Sequence, residues 1–193
     1  MKKEILVIGN GDSVLKLDAG LAIDSFDGPI VRLNRAITKG FESKVGTRTD
    51  VWATGGDTYY HFRLPELGAK TLLMVIPSIA DAHKEWLWWR FNQDREPGQE
   101  LINITKDEYS SLSEKGASLG PSTGLLSVGY YLNKGYRVHH YGFDHFLSVK
   151  VHYWHESPGT FTGFHHPHKE KEWFAKKESE GSLVKFDPIK NSI

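Results

Sequence analysis

The chain contains no cysteine. That excludes a disulfide framework, a thiolate nucleophile and any sulfur-ligated metal. It has no excess of either charge, because 24 Lys and Arg balance 24 Asp and Glu. No whole-molecule field therefore points to nucleic acid or to an acidic partner. Long hydrophobic runs are missing too. The apolar run Ile5-Leu6-Val7-Ile8 ends after four residues at Gly9-Asn10-Gly11, too short for the core of a signal peptide. No segment approaches the ~20 apolar residues of a spanning helix. A soluble, cytoplasmic protein is the expectation. Internal repeats and low-complexity linkers are also absent, and one domain over 1–193 accommodates the length.

What is present alternates. Short β-branched apolar runs at 5–8, 30–33, 50–53, 71–76, 101–104, 136–141 and 182–186 read as strands. Between them lie helical patterns. One starts at Asp12 or Ser13 and uses Leu15, Leu21 and Ile23; others cover about 78–91, 107–115, 120–134 and 170–180. Pro121 early and Gly135 late frame the fourth of these, as helix ends prefer. The polar stretch 92–100, with Pro97-Gly98 inside it, reads as an exposed loop. Strands separated by helical segments mean βαβ units, so the expected fold is a single Rossmann-like α/β domain. Its sheet should be mostly parallel and flanked by helices.

Such a sheet binds ligands outside the carboxyl ends of its strands. Three loops qualify: 9–13, 34–36 and 142–145. Gly9-x-Gly11 lets backbone N–H groups approach a phosphate or ribose, yet Val14 stands where a dinucleotide fingerprint needs its third glycine. Asn34, not a carboxylate, closes the second strand. Both features disfavour a dinucleotide oxidoreductase. Gly120-Pro121-Ser122-Thr123-Gly124 is either a simple helix cap or a second anion site. Eight of the ten histidines lie between 139 and 168, and neutral imidazole suits proton transfer near pH 7. His139 and His140 share a strand, where one packs and one is exposed. His165, His166 and His168 lack the helical spacing of a zinc site. The run 85–91 holds three tryptophans and a phenylalanine, which cannot all face one core. Core filling, a sugar platform and a peripheral membrane contact all remain open for it.

In order along the chain, these motifs resemble the sialyltransferase family, glycosyltransferase family 29. Val7-Ile8-Gly9-Asn10-Gly11, Ile23-Asp24-Ser25-Phe26-Asp27, Val31-Arg32-Leu33-Asn34-Arg35-Ala36 and Val45-Gly46-Thr47-Arg48-Thr49 are similar to its large motif. Gly120-Pro121-Ser122-Thr123-Gly124, through Val138 to Tyr141-Gly142-Phe143, is similar to the small motif. His152-Tyr153-Trp154-His155 resembles the third motif, and His165 with Glu170 the very small one. The resemblance covers roughly residues 5–172.

It implies a variant of the GT-A fold and an inverting, metal-independent transferase. A sialic acid, or a related acidic sugar, would move from a CMP-sugar to a glycan hydroxyl. CMP-sugar is then a substrate, and no cofactor is needed. Consistent with this, the chain has no Asp-x-Asp pair. The resemblance gives Gly9, Asn10 and Asn34 to the nucleotide, and Ser122, Thr123 and Gly124 to its ribose or phosphate. His152 would face the donor phosphate and His165 would be the general base, with Glu170 orienting His165 or its loop. The paired cysteines of animal members have no counterpart near Ile5 and Gly135, and no anchor precedes the domain. Both suit a short bacterial or phage enzyme acting on a glycan or lipopolysaccharide acceptor. The alternatives are a CMP-Kdo-type transferase of the same fold, a non-catalytic nucleotide- or glycan-binding module, and a zinc hydrolase.

Overall fold

A computed structural model describes residues 2–55, 68–75, 97–115, 120–159 and 165–190. The expected helix at 78–91, with its tryptophans, lies outside these residues, as does most of the 92–100 loop.

Among the described residues the strands are β1 (Glu4–Ile8), β2 (Ile30–Leu33), β3 (Val51–Thr54), β4 (Thr71–Met74), β5 (Glu100–Asn103), β6 (Arg137–Tyr141) and β7 (Leu183–Lys185). They form one sheet in the order β5-β4-β3-β2-β1-β6-β7, and every pairing is parallel. β1 lies between β2 and β6, with Val7 opposite both Val31 and His140. From Ile5 to Ile8 it is apolar because both its faces are covered. Ile5 and Val7 pack on one side with Leu125, Val128 and Phe174. Leu6 and Ile8 pack on the other with Val14, Ile23 and Val45.

The helices are α1 (Gly20–Asp24), α2 (Glu42–Val45), α3 (Lys106–Lys115), α4 (Thr123–Asn133) and α5 (Pro167–Ser179). The single helix expected from Asp12 or Ser13 is in fact two pieces, a 3-10 turn at Asp12–Lys16 followed by α1. No side chain caps the turn. Instead the Asp12 carboxylate accepts from the Lys150 N–H and the Ser13 N–H donates to Asp144, at 3.3 and 2.8 Å. These long-range bonds hold the segment to the far side of β6. Leu21, expected on the core face, is 86% exposed.

The large motif contributes an internal tie. Arg32 on β2 is 2% exposed; it donates to the Val45 and Arg48 carbonyls and to Thr49 Oγ1 at 2.7, 3.0 and 3.1 Å. Burial pulls its pKa down to about 10, so it remains charged at neutral pH. No helix among the described residues is long and apolar enough to cross a membrane.

Candidate active site

From β1 the sheet grows outward to β5, then the chain returns to place β6 on the other side of β1. The strand order therefore switches between β1 and β6, where a parallel sheet opens a crevice at its carboxyl end. A cavity of about 170 Å³ lies there. Gly9, Asn10 and Asn34 line it from the first two strands, Ser122, Thr123 and Gly124 from the start of α4, and His152, His165 and Glu170 from the last third of the chain. Every residue that the resemblance gave to the donor or to catalysis thus reaches one cavity. Phe143, Asp144, His145 and Phe146, after β6, complete the wall. The 142–145 loop was expected at this edge, but nothing in the sequence pointed to the Phe146 ring.

The floor is a close backbone crossing. Gly9 N–H donates to the Tyr141 carbonyl at 2.7 Å and Gly11 N–H to that of Gly142 at 2.9 Å. A Cβ on Gly9 would meet the Gly142 oxygen at 2.4 Å, so glycine here allows the turn itself before any ligand enters. Val14, in place of a third glycine, packs fully buried against Gly142. Asn10 Nδ2 donates to the Leu33 carbonyl at 3.0 Å, which fixes the orientation of its carboxamide. Asn34 takes a left-handed φ of 49°, a conformation asparagine tolerates. The Trp52 indole N–H donates to its carbonyl at 2.6 Å.

At α4, Ser122 is the cap, and its Oγ accepts from the Leu125 N–H at 3.1 Å. The same hydroxyl donates to Glu170 Oε2 at 2.6 Å, and the Ser122 N–H donates to Oε1 at 2.8 Å. Burial raises the Glu170 carboxyl, and the two Ser122 bonds oppose that rise. Ser122 is thus bound inside the protein rather than displayed to a ligand, which leaves the N–H groups of Thr123 and Gly124 as the start of the helix. Glu170 braces the loop entering α4.

His165 is tied to that same loop by a hydrogen bond between Nδ1 and the Gly120 carbonyl. A carbonyl only accepts, so Nδ1 carries the hydrogen and, in the neutral ring, Nε2 carries the lone pair. The Phe146 ring stacks on His165 with centroids 5.5 Å apart and 21° between planes. Phe146 also meets His152 edge-on at 6.2 Å, so one phenyl ring stands between the two imidazoles. His152 stacks on Trp154 at 4.7 Å. Burial, with His155 nearby, pulls its pKa down to about 4. Burial does the same to His145. His140 is buried and His139 half-buried, each against a carboxylate. Among the described residues no three His, Asp or Glu side chains gather as a metal would require.

Comparison with known proteins follows the same lines. Residues 3–87 match the family model described as Glycosyltransferase family 29 (sialyltransferase). The CMP-N-acetylneuraminate-beta-galactosamide-alpha-2,3-sialyltransferase 1 of Sus scrofa is 30% identical over 183 residues, 82% of this chain and 50% of that protein. Its Homo sapiens counterpart is 29% identical over 184 residues, again 82% of this chain and 51% of that protein. The chain spans about half the length of these curated relatives. The crystal structure of a mammalian sialyltransferase in complex with Gal-beta-1-3GalNAc-ortho-nitrophenol superposes with a TM-score of 0.71 at 21% identity, covering 96% of this chain and 69% of that one. It shares the fold.

Proposed function

From its likeness to glycosyltransferase family 29, the sialyltransferases, we propose that the chain moves a sialic acid from a CMP-activated donor to a glycan hydroxyl, with inversion and without a metal. The observation that carries this reading is His165. Its Nδ1 is tied to the Gly120 carbonyl, which makes Nε2 the basic nitrogen of the neutral ring, in the cavity it shares with the motif asparagines and the start of α4.

In this scheme the acceptor hydroxyl gives its proton to His165 Nε2 as its oxygen attacks the anomeric carbon. The bond from that carbon to the donor phosphate breaks, and its electron pair leaves with CMP. The negative charge growing on the phosphate meets His152 and the N–H groups at the start of α4. His152 is neutral in the free protein, because burial has lowered its pKa. An arriving phosphate reverses that balance and lets the ring take up a proton. Gly9, Asn10 and Asn34 hold the nucleotide, while Glu170 acts through Ser122 on the helix start. Acceptor identity lies outside this cavity. The galactoside named with the mammalian structure is a suitable first acceptor, and lipopolysaccharide a second.

The experiment is a thermal-shift screen of CMP, UMP, GMP and NAD, followed by transfer assays with CMP-sialic acid and CMP-Kdo. Stabilisation confined to CMP, with transfer from CMP-sialic acid, is the expected result. Transfer from CMP-Kdo alone would change the donor, and stabilisation by NAD or by none of the four would overturn the reading.

A further inference from the structure

Beyond the reaction cavity, on the far side of the β6 loop, lies a larger groove of about 790 Å³. The two share the wall 142–145. The groove runs between the 3-10 turn, α5 and the end of β7, at the edge of the sheet. Its lining is partly aromatic, with Tyr141, Phe143, Phe174 and Phe186, and partly cationic.

The cations are unbalanced. Lys16, Lys171, Lys185 and Lys190 line the groove, and of these only Lys190 has a carboxylate partner, Asp187 at 3.7 Å. Lys16, Lys171 and Lys185 form no ion pair among the described residues. Three carboxylates line it as well, Asp187 beside Lys190, Glu178 bonded to His140 at 2.7 Å and Asp144 accepting from the Ser13 N–H at 2.8 Å, so the lysines exceed the carboxylates by one. The lining as a whole is thus weakly positive, and the three ammonium groups without an ion pair are the points at which an anion would dock.

A second observation comes from side chains buried at the groove. His140 is 6% and Tyr141 9% exposed, and among the described residues His140 Nδ1 and the Tyr141 hydroxyl have no hydrogen-bond partner. Buried polar atoms are ordinarily paired. Because His140 Nε2 donates to the Glu178 carboxylate, Nδ1 of the neutral ring is an acceptor, enclosed beneath the lining. Ammonium groups for a negative charge and aromatic surface for a sugar face together describe one ligand class.

We propose that this groove binds a sugar bearing a negative charge, a carboxylate or a phosphate, as the acidic part of a glycan that continues past the shared wall into the reaction cavity. Its place as an acceptor subsite rests on the proposed transferase reading; its binding chemistry does not. The test titrates the full chain, with CMP saturating the first cavity, against sialyllactose, a lactose phosphate and plain lactose, by calorimetry. The acidic saccharides are expected to bind at least about tenfold more tightly than lactose and to weaken as salt is raised. Lys171→Glu with Lys185→Glu should lower that affinity about tenfold or more and leave CMP affinity unchanged. Preference for sialyllactose identifies the carboxylate as the charge recognised, and preference for the lactose phosphate identifies the phosphate. Equal affinity for lactose, indifference to the double substitution, or displacement of the saccharide by CMP would overturn the proposal. The same titration without CMP reads the groove alone. Saccharide binding there by a chain that does not bind CMP would sink the transferase reading and leave the groove in place.

Discussion

At the scale of single residues, the site depends on how two imidazoles are restrained. His165 has one nitrogen spent on Gly120 and a phenyl ring over its face. His165→Ala should lower turnover about 10²–10⁴-fold with CMP affinity nearly intact, in steady-state assays paired with calorimetry. Near-normal transfer by that variant would remove His165 as the base. His152 makes a different prediction. Its pKa of about 4 in the free protein leaves it unprotonated at pH 6, so CMP binding at that pH should draw a proton from solution. Calorimetry in buffers of different ionisation enthalpy reads that uptake directly, and His152→Gln should abolish it. An uptake unchanged in the variant would place the proton elsewhere.

At the scale of elements, two buried polar contacts join segments distant in sequence. Ser122 caps α4 and also fills both oxygens of Glu170, 48 positions away. Ser122→Ala should destabilise the chain by about 1–3 kcal/mol in urea unfolding, since a cap is lost and a buried carboxylate oxygen is left without its donor. Arg32 ties β2 to the segment after α2 through three hydrogen bonds and no carboxylate. Arg32→Met strands two carbonyls and should cost at least about 3 kcal/mol. Arg32→Lys keeps the charge but not the fork of donors, so it too should fall below the wild type. Equal urea midpoints for all three proteins would show that the tie contributes nothing.

At the scale of the whole molecule, the histidines couple stability to pH. His145 and His152 titrate near 4 when folded, against about 6.5 for a free imidazole. Between those values the unfolded chain binds more protons, so the stability these rings contribute is complete above about pH 6.5 and is lost as pH falls through about 4. Thermal midpoints should drop on acidification across this window. The double variant His145→Gln and His152→Gln should show a shallower drop; parallel slopes would exclude the coupling. The proposed chemistry also needs no divalent ion, so transfer should survive dialysis against excess EDTA. Loss of transfer that a divalent ion restores would contradict it.

The sequence by itself determined the alternation of strand and helix and the parallel sheet, because buried strands and capped helices leave local signatures. Strand ends moved by a residue or two, and among the described residues the helix begun near Asp12 divided. Its first residues are held by bonds to Asp144 and Lys150, more than 130 positions away, which no local pattern can carry. Motif residues could be named because their chemistry and order are written along the chain. Tertiary structure decided which group each residue touches. Glu170 was expected to act on His165 or its loop, and its oxygens close on Ser122. The tautomer of His165 follows from a carbonyl 45 positions away. Phe146 carries no signature of its own and matters only because a turn after β6 sets it between the two rings. Periodicity and capping act over a few residues, whereas charge, burial and hydrogen-bond partners are set by whatever the fold brings near.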